Sequence, residues 1–120
     1  MKNILIIEDD NNIRESIADL LSLRKFEVSQ ASDGVEGLHY AKASIPDLII
    51  CDIMMPGLDG HEVLKELRIN KDTSNIPFIF LSAKTQKSDI REGMNLGADD
   101  YLPKPFKAQD LFRAVESRLN

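Results

Sequence analysis

Asp47-Leu48-Ile49-Ile50-Cys51-Asp52 is a short apolar run closed at each end by an acid, and the loop Ile53 to Asp59, holding Pro56 and Gly57, follows it. A run without polar alternation reads as a strand covered on both faces, which is the signature of a parallel sheet. Ile4-Leu5-Ile6-Ile7 has the same character and stops at Glu8-Asp9-Asp10. Ile76-Pro77-Phe78-Ile79-Phe80-Leu81 repeats it and ends at Ser82-Ala83. Two weaker strands are expected at Glu27 to Ala31 and at Asp100-Tyr101-Leu102, the latter just before Pro103-Lys104-Pro105.

Helical spacing fills the intervals. Ile13, Ile17, Leu20 and Leu21 recur every three to four residues, with Asn11 as the expected N-cap. Ser32 or Asp33 can cap a second helix over 34–44, with Val35, Leu38 and Ala41 inward. Gly60 opens a third, carrying Val63, Leu64 and Leu67. The stretch 87–96 forms a fourth, closed by Gly97, and 108–119 a fifth, with Leu111, Val115 and Leu119 inward. Five βα units in succession predict an α/β fold, a doubly wound parallel sheet with helices on both faces. Right-handed crossovers leave few topologies, and ligand sites in such folds lie beyond the carboxyl ends of the strands.

The bulk properties narrow the setting. At 120 residues the chain holds one domain, spanning 1–120, and is too short for two. A net charge of −5 argues against nucleic acid as a direct partner. One cysteine, Cys51, rules out an internal disulfide and fits a reducing, cytoplasmic setting. No signal peptide is legible, and the apolar runs are far too short to span a membrane.

The chemistry lies just past the strand ends. The first strand delivers Glu8 and Asp9, the third Asp52, the fourth Ser82, and the fifth Lys104. A parallel sheet gathers these at one edge. Two like charges 4 Å apart repel by about 4 kcal/mol at an effective dielectric near 20. Three carboxylates therefore require a cation or must titrate. Mg²⁺ (or Mn²⁺) suits them, since it takes oxygen ligands, waters and a phosphate. Asp52 could then attack phosphorus as a carboxylate nucleophile. Lys104 and the ion would neutralise the transferring group, and Ser82 would offer it a hydroxyl. Taken singly these residues are bland: Asp52 and Ser82 as turn or cap residues, Tyr101 as a half-buried edge residue. Their joint placement is what points to phosphoryl chemistry. Cys51 reads as packed and inert, His39 and His61 as solvated, and Met54 and Met55 as loop and packing residues rather than metal ligands.

The same segments resemble the receiver domain of bacterial response regulators, over the whole chain. The motifs that carry the likeness are 6–10 (Ile6 to Asp10), 48–60 (Leu48 to Gly60), 79–83 (Ile79 to Ala83) and 97–106 (Gly97 to Phe106). The resemblance implies a flavodoxin-like sheet of order 2-1-3-4-5 with five helices. It implies that Asp52 accepts a phosphoryl group from a sensor histidine kinase or a histidine phosphotransfer protein. Asp9, Asp52 and the Met54 backbone carbonyl would bind the metal, with Glu8 acting largely through water. Asp10 competes with these for the metal role and ranks lower, because the strand run ends at Ile7. Ser82 and Tyr101 would be the switch pair, Lys104 the phosphoryl contact, and the Lys104–Pro105 bond cis. Met54 and Lys84 would tune dephosphorylation, and bulky Met54 points to a phosphorylated form that is not short-lived.

The expected activity is that of a signalling switch rather than an enzyme: the domain catalyses only its own phosphorylation and slow dephosphorylation. Its output surface would be the fourth helix, fifth strand and fifth helix, facing an output domain or downstream protein. Asp99-Asp100-Tyr101 resembles receivers attached to winged-helix transcription factors, which dimerise through that face. Ile90 and Ala114 stand where those relatives carry pairing arginines, which puts that dimer in question. The chain ends just after the fifth helix, as a free-standing receiver or a piece of a larger protein would. A Mg²⁺-dependent phosphatase would need a second acid where Met54 stands. A flavin module would need a phosphate loop where Glu8-Asp9-Asp10 stands, and a receiver-like module that is never phosphorylated would usually lack one of the key residues.

Overall fold

The apolar runs form a five-stranded parallel sheet because each offers side chains to both faces. The computed structural model describes residues 1–83 and 86–119. The strands are β1 (Asn3–Ile7), β2 (Glu27–Ala31), β3 (Leu48–Asp52), β4 (Phe78–Ala83) and β5 (Asp100–Lys104), in spatial order β2-β1-β3-β4-β5. The helices are α1 (Asn11–Leu23), α2 (Gly34–Ser44), α3 (Gly60–Ile69), α4 (Lys87–Asn95) and α5 (Ala108–Leu119). The flavodoxin-like order expected from the sequence is the order observed.

Strand alternation divides the core into two layers. Ile4, Ile6, Leu48, Ile50, Ile79 and Leu81 pack under α1 and α5 with Ile17, Leu21, Leu111 and Val115. Leu5, Ile7, Ile49, Cys51, Phe78 and Phe80 point the other way, onto Ala41 of α2 and Val63, Leu64 and Leu67 of α3. A period of two within a wholly apolar strand thus feeds both faces. Parallel register then sets the carboxyl edge. Ile7 pairs with Cys51, Asp52 with Leu81, and Ser82 with Pro103, so β1, β3, β4 and β5 end side by side.

Four local expectations are corrected. Asp10, not Asn11, caps α1: its carboxylate accepts from the Asn12 and Ile13 amides, and Asn11 is already helical. In α2 the buried stripe is Gly34, Gly37 and Ala41, and Val35 is exposed, because small residues let that helix sit close to β1. The fourth strand begins at Phe78 rather than Ile76 and carries Ser82 within it. His61 is buried rather than solvated: its Nε2 donates to the Asp89 carbonyl of α4 at 2.8 Å, and its ring stands edge-on to Phe80. His39 is exposed, as expected.

Candidate phosphoryl-transfer site at the carboxyl edge of the sheet

Carboxylate oxygens of Glu8, Asp9 and Asp52 all lie within 4.8 Å of one another. Glu8 has no exposed surface and Asp52 is 4% exposed, while Asp9 faces solvent. Glu8 is fixed from several sides. Its amide donates to Ala31 O at 3.1 Å, and its Oε2 accepts from the Asp10 amide at 3.2 Å. Lys104 reaches in from the end of β5, donating to Glu8 Oε1 at 3.1 Å and to Asp52 Oδ2 at 3.2 Å. The Met54 amide donates to Asp52 Oδ1 at 3.2 Å, so both Asp52 oxygens are oriented.

The backbone beneath Asp52 leaves no slack. A Cβ on Gly60 would sit 2.4 Å from the Asp52 carbonyl oxygen and 2.8 Å from the Ile53 Cα. Only glycine lets the start of α3 approach β3 this closely, and the Gly60 amide uses that approach to bond Ile53 O at 2.9 Å. Asp59 caps the helix in a capping box with Glu62.

The electrostatics carry the strain that the sequence foresees. Burial, then the neighbouring Asp52 carboxylate, raises the Glu8 pKa above its ordinary range. Burial and Glu8 do the same to Asp9. Burial alone would lower the Lys104 pKa, but the Asp52 and Glu8 charges outweigh it and raise it. Among the described residues, the Lys104 ammonium thus hydrogen-bonds two buried carboxylates, and Asp9 feels it only at longer range. The donor set is all oxygen and net negative, which fits a hard divalent cation.

The remaining expected residues fall in two places. Ser82 is buried at the end of β4, and its Oγ is engaged with Ala83 O and Gln86 Oε1, both at 3.2 Å, rather than with Asp52. Tyr101 is 41% exposed and lines a surface groove with Lys87, Ile90, Arg91, Met94 and Pro103. Met54 is 56% exposed beside Asp52. Lys84 lies outside the described residues. The Lys104–Pro105 peptide bond is cis, as the resemblance implies. Cys51 is fully buried, and burial pushes its thiol pKa up, which fits an inert packing role. Met55 is buried in the core. Ile90 and Ala114 are packed on the core, and Asp99 is committed within the chain, accepting from the Phe78 amide at 2.8 Å.

Two contacts had no signal in the sequence. Gln86 holds the Ser82 hydroxyl, and Arg14 donates to the Glu8 carbonyl oxygen at 2.8 Å. Both are single polar residues whose partners lie on other elements, so no spacing rule announces them.

A doubly wound sheet of order β2-β1-β3-β4-β5 with three acids and a lysine gathered at its carboxyl edge defines a flavodoxin-like domain. The model of the response regulator receiver domain family matches residues 4–116, and the chain belongs to that family. It is 40% identical to response regulator MprA of Mycobacterium avium over 116 residues, which is 97% of this chain and 50% of that protein. The chain therefore spans about half the length of the curated relatives it matches. Among solved structures it resembles a response regulator receiver domain protein from Clostridium thermocellum, with a TM-score of 0.93 and 34% identity, covering 100% of this chain and 95% of that one. It also resembles chemotaxis response regulator CheY4 of Vibrio cholerae, with a TM-score of 0.92 and 30% identity, covering 98% of each chain. Among the described residues no helix is long and apolar enough to cross a membrane.

Proposed function

We propose that this chain, as a single receiver domain over 1–120, is a Mg²⁺-dependent switch in which Asp52 accepts a phosphoryl group from a phosphohistidine. The donor would be a sensor histidine kinase or a histidine phosphotransfer protein. One Asp52 carboxylate oxygen attacks phosphorus, the phosphorus–nitrogen bond breaks, and the imidazole leaves with the electron pair and takes a proton. The observation that carries this reading is the bridge from Lys104 to both Asp52 and Glu8. It aims the half-buried Lys104 ammonium at the oxygens that would hold or receive the phosphoryl group.

Asp9, Asp52 and the Met54 carbonyl would hold Mg²⁺ (or Mn²⁺), with Glu8 acting through water. A bound divalent ion neutralises charge on the transferring phosphoryl oxygens. Lys104 does the same from the β5 side and keeps Asp52 oriented. Phosphorylation adds about −1.5 to −2 charges near pH 7. Ser82 then turns from Gln86 to a phosphoryl oxygen, and Tyr101 moves inward from its exposed position. The face made by α4, β5 and α5 changes with them and signals to an output domain or downstream protein. Ile90 and Ala114 supply no arginines, so a dimer through this face would rest on other contacts.

The experiment is incubation with Mg²⁺ and acetyl phosphate, read by intact mass, together with a beryllium fluoride titration. One phosphoryl adduct is expected on the wild type and none on Asp52→Asn. A wild type left unmodified overturns the reading.

A further inference from the structure

Arg14 occupies the first turn of α1, where a cation opposes the positive end of the helix dipole and the first turn holds no acid. Its guanidinium nonetheless binds three separate segments. Nη1 donates to the Glu8 carbonyl oxygen at 2.8 Å, Nε to Gln30 Oε1 at 3.2 Å, and Nη2 to Asn11 Oδ1 at 2.6 Å. The clamp thus ties the loop after β1 to the end of β2 and to the start of α1. The planar fork makes these bonds in one fixed geometry, which an ammonium cannot copy.

The Glu8 carbonyl shares a peptide plane with the Asp9 amide. The orientation of that plane sets the direction in which the Asp9 side chain leaves the chain. The preceding plane is already set by the bond from the Glu8 amide to Ala31 O. Arg14 supplies the second constraint, and Asp9 is the exposed member of the carboxylate group. We infer that Arg14 is a positioning residue for the divalent cation: through the Glu8 carbonyl it holds the Asp9 carboxylate in place beside Asp52. This rests on the reading of Glu8, Asp9 and Asp52 as the cation site.

Charge and geometry predict opposite signs here, which makes the inference testable. A positive group near a cation site repels the ion, so removing it should tighten binding if charge were its whole effect. Loss of a group that orients a ligand weakens binding, typically by 10- to 100-fold. The test is isothermal titration of the full chain with Mg²⁺ for wild type, Arg14→Lys, Arg14→Met and Gln30→Ala, with thermal melting in EDTA alongside. Both Arg14 variants are expected to weaken Mg²⁺ binding by about 10-fold. Gln30→Ala, which removes one anchor of the fork and keeps the charge, weakens it less but in the same direction. The acetyl phosphate rate of the Arg14 variants is expected to recover at saturating Mg²⁺. Binding by Arg14→Met as tight as wild type or tighter overturns the inference, as does an Arg14→Lys variant identical to wild type. If the Arg14 variants fail to melt cooperatively, unaltered binding by Gln30→Ala overturns it. Wild type that binds no Mg²⁺ is a distinct result, which removes the cation site itself and the inference with it.

Discussion

Lys104 Nζ lies 3.2 Å from Asp52 Oδ2, although 52 positions of chain separate the two residues. The same nitrogen reaches Glu8, which is fully buried, so one ammonium balances two carboxylates that water does not solvate well. Removing it leaves both uncompensated. Lys104→Met is expected to lower the stability of the metal-free protein by about 2–3 kcal/mol, at or just below the foot of the range of about 3–5 kcal/mol for breaking a buried pair, because Lys104 is partly exposed. Urea denaturation in EDTA measures this, and unchanged stability would refute the balancing role.

Glu8 sets a pH dependence. Its pKa is raised in the folded protein, so folding binds a proton between its ordinary value and the raised one. Stability from this group is therefore greatest when it is protonated and declines as pH rises through that window. Glu8→Gln does not titrate. In EDTA the variant is expected to become more stable than wild type once pH exceeds the raised value. The gap should be small below the ordinary glutamate range and should shrink at high pH when Mg²⁺ is present. A gap that does not vary with pH contradicts the assignment.

Gly60→Ala tests the backbone beneath the site. The new methyl would meet the Asp52 carbonyl and the Ile53 Cα, neither of which can rotate away. A loss of about 3 kcal/mol in denaturant stability is expected, at the upper end of the cost of overpacking, together with slower acetyl phosphate labelling. Wild-type stability would show that α3 moves off the sheet freely.

Gln86 accepts a hydrogen bond from Ser82, whose hydroxyl is the proposed switch group. Such a bond contributes about 1 kcal/mol, which is roughly a five-fold change in a two-state equilibrium. Gln86→Ala should tighten beryllium fluoride binding by about that factor, while Gln86→Glu should not. Equal binding by Gln86→Ala and wild type would mean that Ser82 is held by Ala83 O instead.

Met54 stands exposed beside Asp52 and would slow the approach of water to an acyl phosphate there. Met54→Asn replaces an apolar group with one that can hydrogen-bond water. Loss of phosphate from the labelled protein is expected to be several-fold faster in Met54→Asn, on the order of the factor attached to one hydrogen bond. Identical decay curves would dismiss the role.

Much of this was legible in the residues alone. Ile4 to Ile7 and Leu48 to Cys51 have no polar alternation, and only a sheet covered on both sides can bury them. That fixes the parallel sheet, and the parallel sheet brings Glu8, Asp9, Asp52 and Lys104 to one edge. Where the sequence misleads, neighbouring choices are nearly equal in local energy. Asp10 and Asn11 are both good caps, and the extended backbone at Asp10 decides between them. Val35 and Gly34 differ by one position on α2, and the close approach of Gly37 to Ile7 turns the small residues inward. His61 looks solvated until α4 lays the Asp89 carbonyl over it.

The sequence by itself determined the order of elements and the acids and lysine at the strand ends, because strand pattern and chain order are local properties with period two and period 3.6. Only the tertiary structure decided that Lys104 spans Glu8 and Asp52, that Ser82 is turned toward Gln86, and that Arg14 closes on the Glu8 carbonyl. Each of these bonds joins groups from separate elements, and a hydrogen bond depends on distances of a few tenths of an ångström that no residue pattern encodes.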